Sequence, residues 1–168
     1  MKKTGIFYSK NAVITSEAAK KIQDAFGDFR IEVVPVETAW QKDFERFDNI
    51  IAGASTWFDG ELPAYWDELI PELNTLNLKG RKVAIFGIGN QADYPENFVD
   101  GIRILADAFE VAGARLVGQT SVEGYSFERS RAVVDGQFLG LVLDVESQPE
   151  KTDQRIRLWV ETLKKEFQ

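Results

Sequence analysis

Two short runs, Ile50-Ile51-Ala52-Gly53-Ala54 and Val83-Ala84-Ile85-Phe86-Gly87, contain no polar side chain and are bounded too closely to be helices. A strand with one wet face alternates apolar and polar residues, so an unbroken apolar strand must be covered on both faces. The rest of the chain supplies that cover. Residues 4–8, 31–36 and 115–119 read as further strands, and Pro35 suits an edge or a strand end because it cannot donate to a ladder. A helix from Thr15 or Ser16 to Phe26 puts Ala18, Ala19, Ile22 and Phe26 on a core face and Lys20, Lys21 and Asp24 outward, with Gly27 ending it. Helices are predicted over 63–69, with Pro63 in the first turn, over 96–112, with Phe98, Ile102, Leu105, Phe109 and Ala112 on one face, and over 152–167. Alternating strands and helices imply a doubly wound α/β sandwich with right-handed crossovers. The expectation is one domain spanning 1–168. Residues 121–147 are too many for an ordinary connection, yet they include Phe127, Val133, Val134, Phe138, Leu139, Leu141 and Leu143, which predicts a packed excursion.

Composition removes whole classes of chemistry. With no Cys and no His, the chain can hold no disulfide, thiolate nucleophile, imidazole base, or Cys- or His-ligated metal. Any redox or transfer chemistry must therefore rest on a bound cofactor or on carboxylates. A net charge of -7 argues against a nucleic-acid backbone as the main partner and favours a basic protein meeting an acidic face. No apolar run reaches the roughly 18 residues of a membrane span and the N-terminus has no signal-peptide pattern, so a cytoplasmic protein is expected.

Ligands of open α/β sheets bind beyond the carboxyl ends of the strands, where strand order reverses. Three loops leave such ends: 9–14, 55–61 and 88–95. The second carries Trp57 and the third Tyr94. A single loop tryptophan can simply cap a core, but two aromatics on adjacent loops favour stacking on a flat ring. Trp40, Trp66 and Trp159 read as core or interface packing rather than ligand contacts, with Trp66 placed to buttress the Trp57 loop, and Arg115, Arg129, Arg131, Arg155 and Arg157 read as surface residues.

The residues taken together resemble a family. Ser55-Thr56-Trp57-Phe58-Asp59-Gly60-Glu61-Leu62, Phe86-Gly87-Ile88-Gly89-Asn90-Gln91-Ala92-Asp93-Tyr94, Gly124-Tyr125 and Gln137-Phe138-Leu139-Gly140-Leu141-Val142-Leu143-Asp144 resemble the long-chain flavodoxins, small FMN-dependent electron carriers. The resemblance covers essentially the whole chain. It implies a flavodoxin-like three-layer sandwich, a five-stranded parallel sheet in order 2-1-3-4-5 whose fifth strand is interrupted by a long insertion, and FMN at the switch point. It further implies that Trp57 and Tyr94 stack on the two faces of the isoalloxazine. Ser55, Thr56 and the Phe58-Asp59-Gly60 turn would meet the flavin edge, Gly60 giving the φ freedom for a peptide reorientation. Gly89, Asn90, Gln91 and Asp93 would complete the other edge, with Asn90 standing where the family commonly has aspartate.

The phosphate loop departs from the family pattern of Thr/Ser-x-Thr-Gly-x-Thr. Here it reads Lys10-Asn11-Ala12-Val13-Ile14-Thr15, following Ser9. Only Thr15 matches, and Val13 replaces the glycine. Two readings stand side by side. Lys10 replaces lost hydrogen bonds with charge while Ser9, Asn11 and the helix N-terminus keep FMN phosphate; or Val13 and Ile14 close the nest, leaving weak FMN binding, riboflavin, or no flavin. The functional expectation is a low-potential carrier of single electrons on non-covalent FMN, not an enzyme, a monomer docking a basic reductase and acceptor through the acidic face around Asp59, Glu61, Asp67, Glu68 and Glu72. The alternatives are a flavodoxin-like binding or regulatory module with impaired flavin binding, and a flavin-dependent reductase.

Overall fold

A computed structural model describes residues 2–57 and 59–168. The parallel sheet is built from β1 (Thr4–Tyr8), β2 (Ile31–Pro35), β3 (Asn49–Ser55), β4 (Lys82–Ile88) and β5 (Arg115–Val117), in spatial order β2-β1-β3-β4-β5. The order reverses between β1 and β3, the switch point at which an open α/β sheet forms its crevice. β3 and β4 lie at the centre and are almost wholly buried, as their unbroken apolar runs require. Pro35 closes β2, an edge strand.

Alternate residues of each strand feed two different cores. Phe7, Ile50, Val83 and Ile85 face one side with Phe44, Phe47, Trp66, Leu105 and Phe109, where Phe7 and Phe44 stack at 4.0 Å. Ile6, Ile51, Ala84 and Phe86 face the other, against α1 (Val13–Phe26) and α5 (Thr152–Glu166). α2 (Gln41–Glu45), α3 (Ala64–Leu73) and α4 (Gly101–Val111) lie on the first side. The five-residue α2 follows a 3-10 turn at Val36–Thr38, and neither carries enough periodicity to be legible in the sequence. No helix among the described residues is long and apolar enough to cross a membrane.

The fifth strand is split. β5 pairs with β4 at residues 82–84, and β9 (Leu141–Leu143) pairs with it at 86–88. Between them β6 (Thr120–Ser121), β7 (Val133–Val134) and β8 (Gln137–Phe138) make a small antiparallel sheet in order β6-β8-β7. β7 and β8 meet through Asp135 and Gly136 at φ 52 and 77, the left-handed pair that a two-residue hairpin demands. Phe138 is fully buried among Phe98, Tyr125 and Phe127, with ring centroids 5.1–6.1 Å away, so the expected packed excursion is present.

Several boundaries and placements differ from the sequence reading. The strand expected over 115–119 ends at Val117, and the helix expected over 63–69 runs to Leu73 with Pro71 inside it. α4 starts at Gly101 rather than residue 96: the Phe98 N–H donates to Arg129 O at 3.2 Å instead of joining a helix, and Val99 sits at φ 50. Trp66 and Trp159 are buried, each indole N–H donating to a backbone carbonyl, of Gly53 and Gly118 respectively. Trp40 is not in the core, being 72% exposed. Arg155, expected at the surface, lies with its guanidinium 4.0 Å from the Tyr125 ring centroid and donates to Gln148 Oε1 at 2.8 Å.

Candidate functional site

A cleft of about 530 Å³ opens beyond the carboxyl ends of β1, β3 and β4. It is lined by Asn11, Ala12, Val13, Ile14, Thr15, Ser55, Thr56, Trp57, Ile88, Gly89, Asn90, Tyr94 and Glu146. The three loops singled out by topology thus converge on one space, and its volume falls in the usual range for a small-molecule site.

The first wall is the N-terminus of α1, which begins at Val13, two to three residues before the expected start. The N-cap is Ala12, which has no side-chain acceptor, so the first-turn N–H groups are uncapped from within the chain. Thr15, the nearest hydroxyl for an N-cap by sequence, lies inside the first turn instead. It is 1% exposed, lines the cleft, and its Oγ1 has no hydrogen-bond partner in the protein. A buried hydroxyl without a partner beside uncapped helix N–H groups is a donor set waiting for an anion. Val13 raises no backbone obstacle: Val99 and Asp135 are the only non-glycine residues with positive φ among those described, so position 13 adopts ordinary helical backbone.

Ahead of α1, Asn11 and Ala12 line the cleft and Ser9 and Lys10 do not. Ser9 is buried and its hydroxyl donates to Glu37 Oε1, while the exposed Lys10 gives its backbone N–H to Glu37 Oε2 at 3.2 Å. Burial works to raise the Glu37 pKa, but hydrogen bonds from Ser9 and from the backbone N–H groups of Glu37, Lys10 and Asn11 outweigh it and hold the carboxyl below its ordinary range.

The second wall carries Trp57, 52% exposed, whose indole N–H donates to Ser55 Oγ at 2.7 Å. Backbone bonds of 2.8 Å in each direction join Trp57 and Glu61 across a tight turn. Phe58 lies outside the described residues. Asp59 is exposed, and Gly60 is buried at φ 92, the left-handed conformation this turn requires. Beneath the turn, Asp100 is buried and accepts from the Arg131 backbone N–H at 2.8 Å, and Thr56 Oγ1 accepts from Gly101 N at 3.0 Å. Burial raises the Asp100 pKa, against the opposing hydrogen bond and charge of Arg131.

The third wall carries Tyr94, 58% exposed. Asn90 organises this loop: its Oδ1 accepts from Ala92 N, Asp93 N and Ser147 Oγ, and its Nδ2 donates to Asp93 Oδ2 at 2.9 Å and Glu146 Oε2 at 2.5 Å. One amide therefore separates two carboxylates, a role an aspartate would reverse into repulsion. Gln91 is buried and points away from the cleft, bonding Asp144 through both its backbone and side-chain N–H and accepting from Ser126 N. The structure thus brings Asn11 to Thr15, Ser55 to Trp57, Gly89, Asn90 and Tyr94 together, whereas Ser9, Lys10, Asp59, Gly60, Gln91 and Asp93 are not among the lining residues. Ile88 and Glu146 line the cleft without having been singled out in the sequence. Ile88 ends a strand already assigned to that loop, whereas Glu146 carried no local signal.

A family model described as Flavodoxin matches residues 6–159. The chain belongs to the flavodoxin family. A flavodoxin of Synechococcus elongatus is 38% identical over 168 residues, covering 99% of each chain. Flavodoxin 1 of Escherichia coli is 36% identical over 165 residues, covering 98% of this chain and 94% of its own. Among solved structures, a Fusobacterium nucleatum flavodoxin bound to flavin mononucleotide superposes with a TM-score of 0.95 at 34% identity, covering all of both chains. Family membership accords with the sheet order and with the divided fifth strand.

Proposed function

We propose that this flavodoxin-family chain binds FMN without a covalent bond and carries single electrons between redox proteins. The observation that carries the reading is the cleft between Trp57 and Tyr94 whose far end is the α1 N-terminus with the unpartnered Thr15 hydroxyl. An aromatic slot suits a flat ring, and uncapped N–H groups with a hydroxyl donor suit a phosphate, so the donor set fits FMN better than riboflavin. Bound FMN supplies the electron chemistry, and the chain supplies binding, orientation and electrostatics.

In this reading Trp57 and Tyr94 flank the isoalloxazine, and Thr15 with the Val13 and Ile14 backbone holds the phosphate. Lys10 adds positive charge nearby. Gly60 permits the turn after Trp57 to change peptide orientation, and Asn90 with Glu146 faces the other edge. No side chain needs to act on a substrate, which makes the protein a carrier rather than an enzyme. Asp59, Glu61, Asp67, Glu68 and Glu72 offer an acidic rim for a basic reductase and acceptor, docked as a monomeric single domain in the cytoplasm.

The test is a visible absorption spectrum of the purified protein followed by parallel fluorescence titrations with FMN and riboflavin. Tight FMN binding with a clear preference over riboflavin supports the reading. Equal affinity removes the phosphate site from it, and failure to bind either flavin overturns it. Steady-state turnover with a nicotinamide donor and small-molecule acceptors, in the absence of a protein partner, would favour a reductase.

A further inference from the structure

The first residues after β1 need a tether that the sheet cannot give them. Tyr8 pairs with Pro35, and proline has no N–H with which to extend the ladder. Two residues later Glu37 takes over. Its two carboxylate oxygens accept from the Ser9 hydroxyl and the Lys10 backbone N–H. Ala12 N then closes back onto Ser9 O at 3.2 Å, which delivers the chain into the first turn of α1. The contact joins residues far apart in sequence, and none of Ser9, Lys10 and Glu37 lines the cleft.

The sequence offers no local substitute for this contact. Neither Lys10 nor Ala12 carries a hydroxyl, and Ala12 gives α1 no side-chain cap. An anion cradle made of backbone N–H groups works only if the backbone is already in place when the anion arrives. We propose that Glu37 is the positioning residue for the phosphate end of the cleft: its carboxylate holds residues 9–11 from behind, and so fixes the N–H groups of the first turn of α1 and the Thr15 hydroxyl toward the ligand. The proposal rests on the FMN reading above. Glu37 is not among the residues that line the cleft. Its negative charge would by Coulomb repulsion weaken phosphate binding, so removing that charge separates the two effects by sign.

The experiment compares wild type, Glu37→Gln, Glu37→Asp and Ser9→Ala as purified apoproteins. Glutamine keeps the size but presents an N–H to donors that need an acceptor. Losing one charge-assisted bond predicts about tenfold weaker FMN binding for Glu37→Gln with riboflavin affinity unchanged. Ser9→Ala moves the same ratio less, and Glu37→Asp restores part of it. A flavin-independent readout accompanies these: amide exchange at Lys10 and Asn11 speeds up in Glu37→Gln apoprotein while that of the β3 and β4 core amides does not. Unchanged or tighter FMN binding, equal loss of FMN and riboflavin, or unaltered amide exchange overturns the proposal. Wild-type protein that binds neither flavin overturns the FMN reading and this proposal with it, whereas wild type preferring FMN with an unaltered Glu37→Gln overturns the proposal alone.

Discussion

Replacing Thr15 by valine has two expected effects of opposite sign. Valine matches threonine in shape, so the 1%-exposed site suffers neither cavity nor clash and only the Oγ1 hydroxyl is lost. In apoprotein that hydroxyl has no partner in the protein, and a buried unsatisfied polar group costs about 1–3 kcal/mol. Its removal therefore stabilises the apoprotein, raising Tm by about 2–4 °C for each kcal/mol in a chain of this size. With FMN bound, the same hydroxyl donates to a phosphate, a charge-assisted bond of about 1.5–3 kcal/mol, or roughly 10- to 150-fold in Kd. Riboflavin has no phosphate, so its affinity stays unchanged. Differential scanning of the apoprotein and parallel quenching titrations give both numbers. An FMN affinity equal to wild type, or an equal loss for FMN and riboflavin, would refute the assignment of the α1 N-terminus as the phosphate end.

Three further outcomes are expected. Trp57→Ala and Tyr94→Ala each weaken FMN and riboflavin equally, by about 2- to 12-fold for a stacking contribution of roughly 0.5–1.5 kcal/mol, and a loss confined to FMN would contradict the slot assignment. Gly60→Ala places a Cβ 2.8 Å from Asp100 Oδ2 at φ +92, so chemical denaturation should show a stability loss of about 1–3 kcal/mol, and an unchanged midpoint would refute the turn geometry. Asp100 binds its proton more tightly in the folded chain than in the unfolded one because burial raises its pKa, so its contribution to stability falls as pH rises through and above the ordinary carboxylate range. Asp100→Asn, which keeps an acceptor for the Arg131 N–H, should therefore be more stable than wild type at neutral pH, with the advantage vanishing below about pH 4 where the carboxyl is protonated in both states. A variant less stable at pH 7 than at pH 3, relative to wild type, would contradict this.

Where the sequence was legible, a local pattern coincided with what the fold required. The central strands were readable because burial on both faces leaves no polar position, and the core faces of α1 and α4 were readable because their 3–4 spacing is real in the structure. The loops bearing Trp57 and Tyr94 were readable because topology places ligand sites beyond strand ends. Misreadings arose where a local rule did not decide the placement. The helix expected from Thr15 or Ser16 begins at Val13, so Thr15 lies inside the first turn and lines the cleft. Residues 96–100 have helical spacing, but their backbone bonds to the insertion and Val99 leaves the helical region. Trp40 has the composition of a core residue and lies at the surface, since nothing in a single chain fixes which tryptophan meets a neighbour.

The order of strands and helices, the two-sided burial of β3 and β4, and the aromatic pair at the switch point follow from residue type and spacing, since these depend on interactions along or across single elements. Contacts between distant residues needed the folded chain. Glu37 behind Ser9 and Lys10, Glu146 beside Asn90, and Asp100 beneath Gly60 leave no periodicity and no motif, because each depends on how separate loops approach one another. Only the packed sheet and its helices bring those loops within hydrogen-bonding distance, and it is there that the shape and charge of the cleft are set.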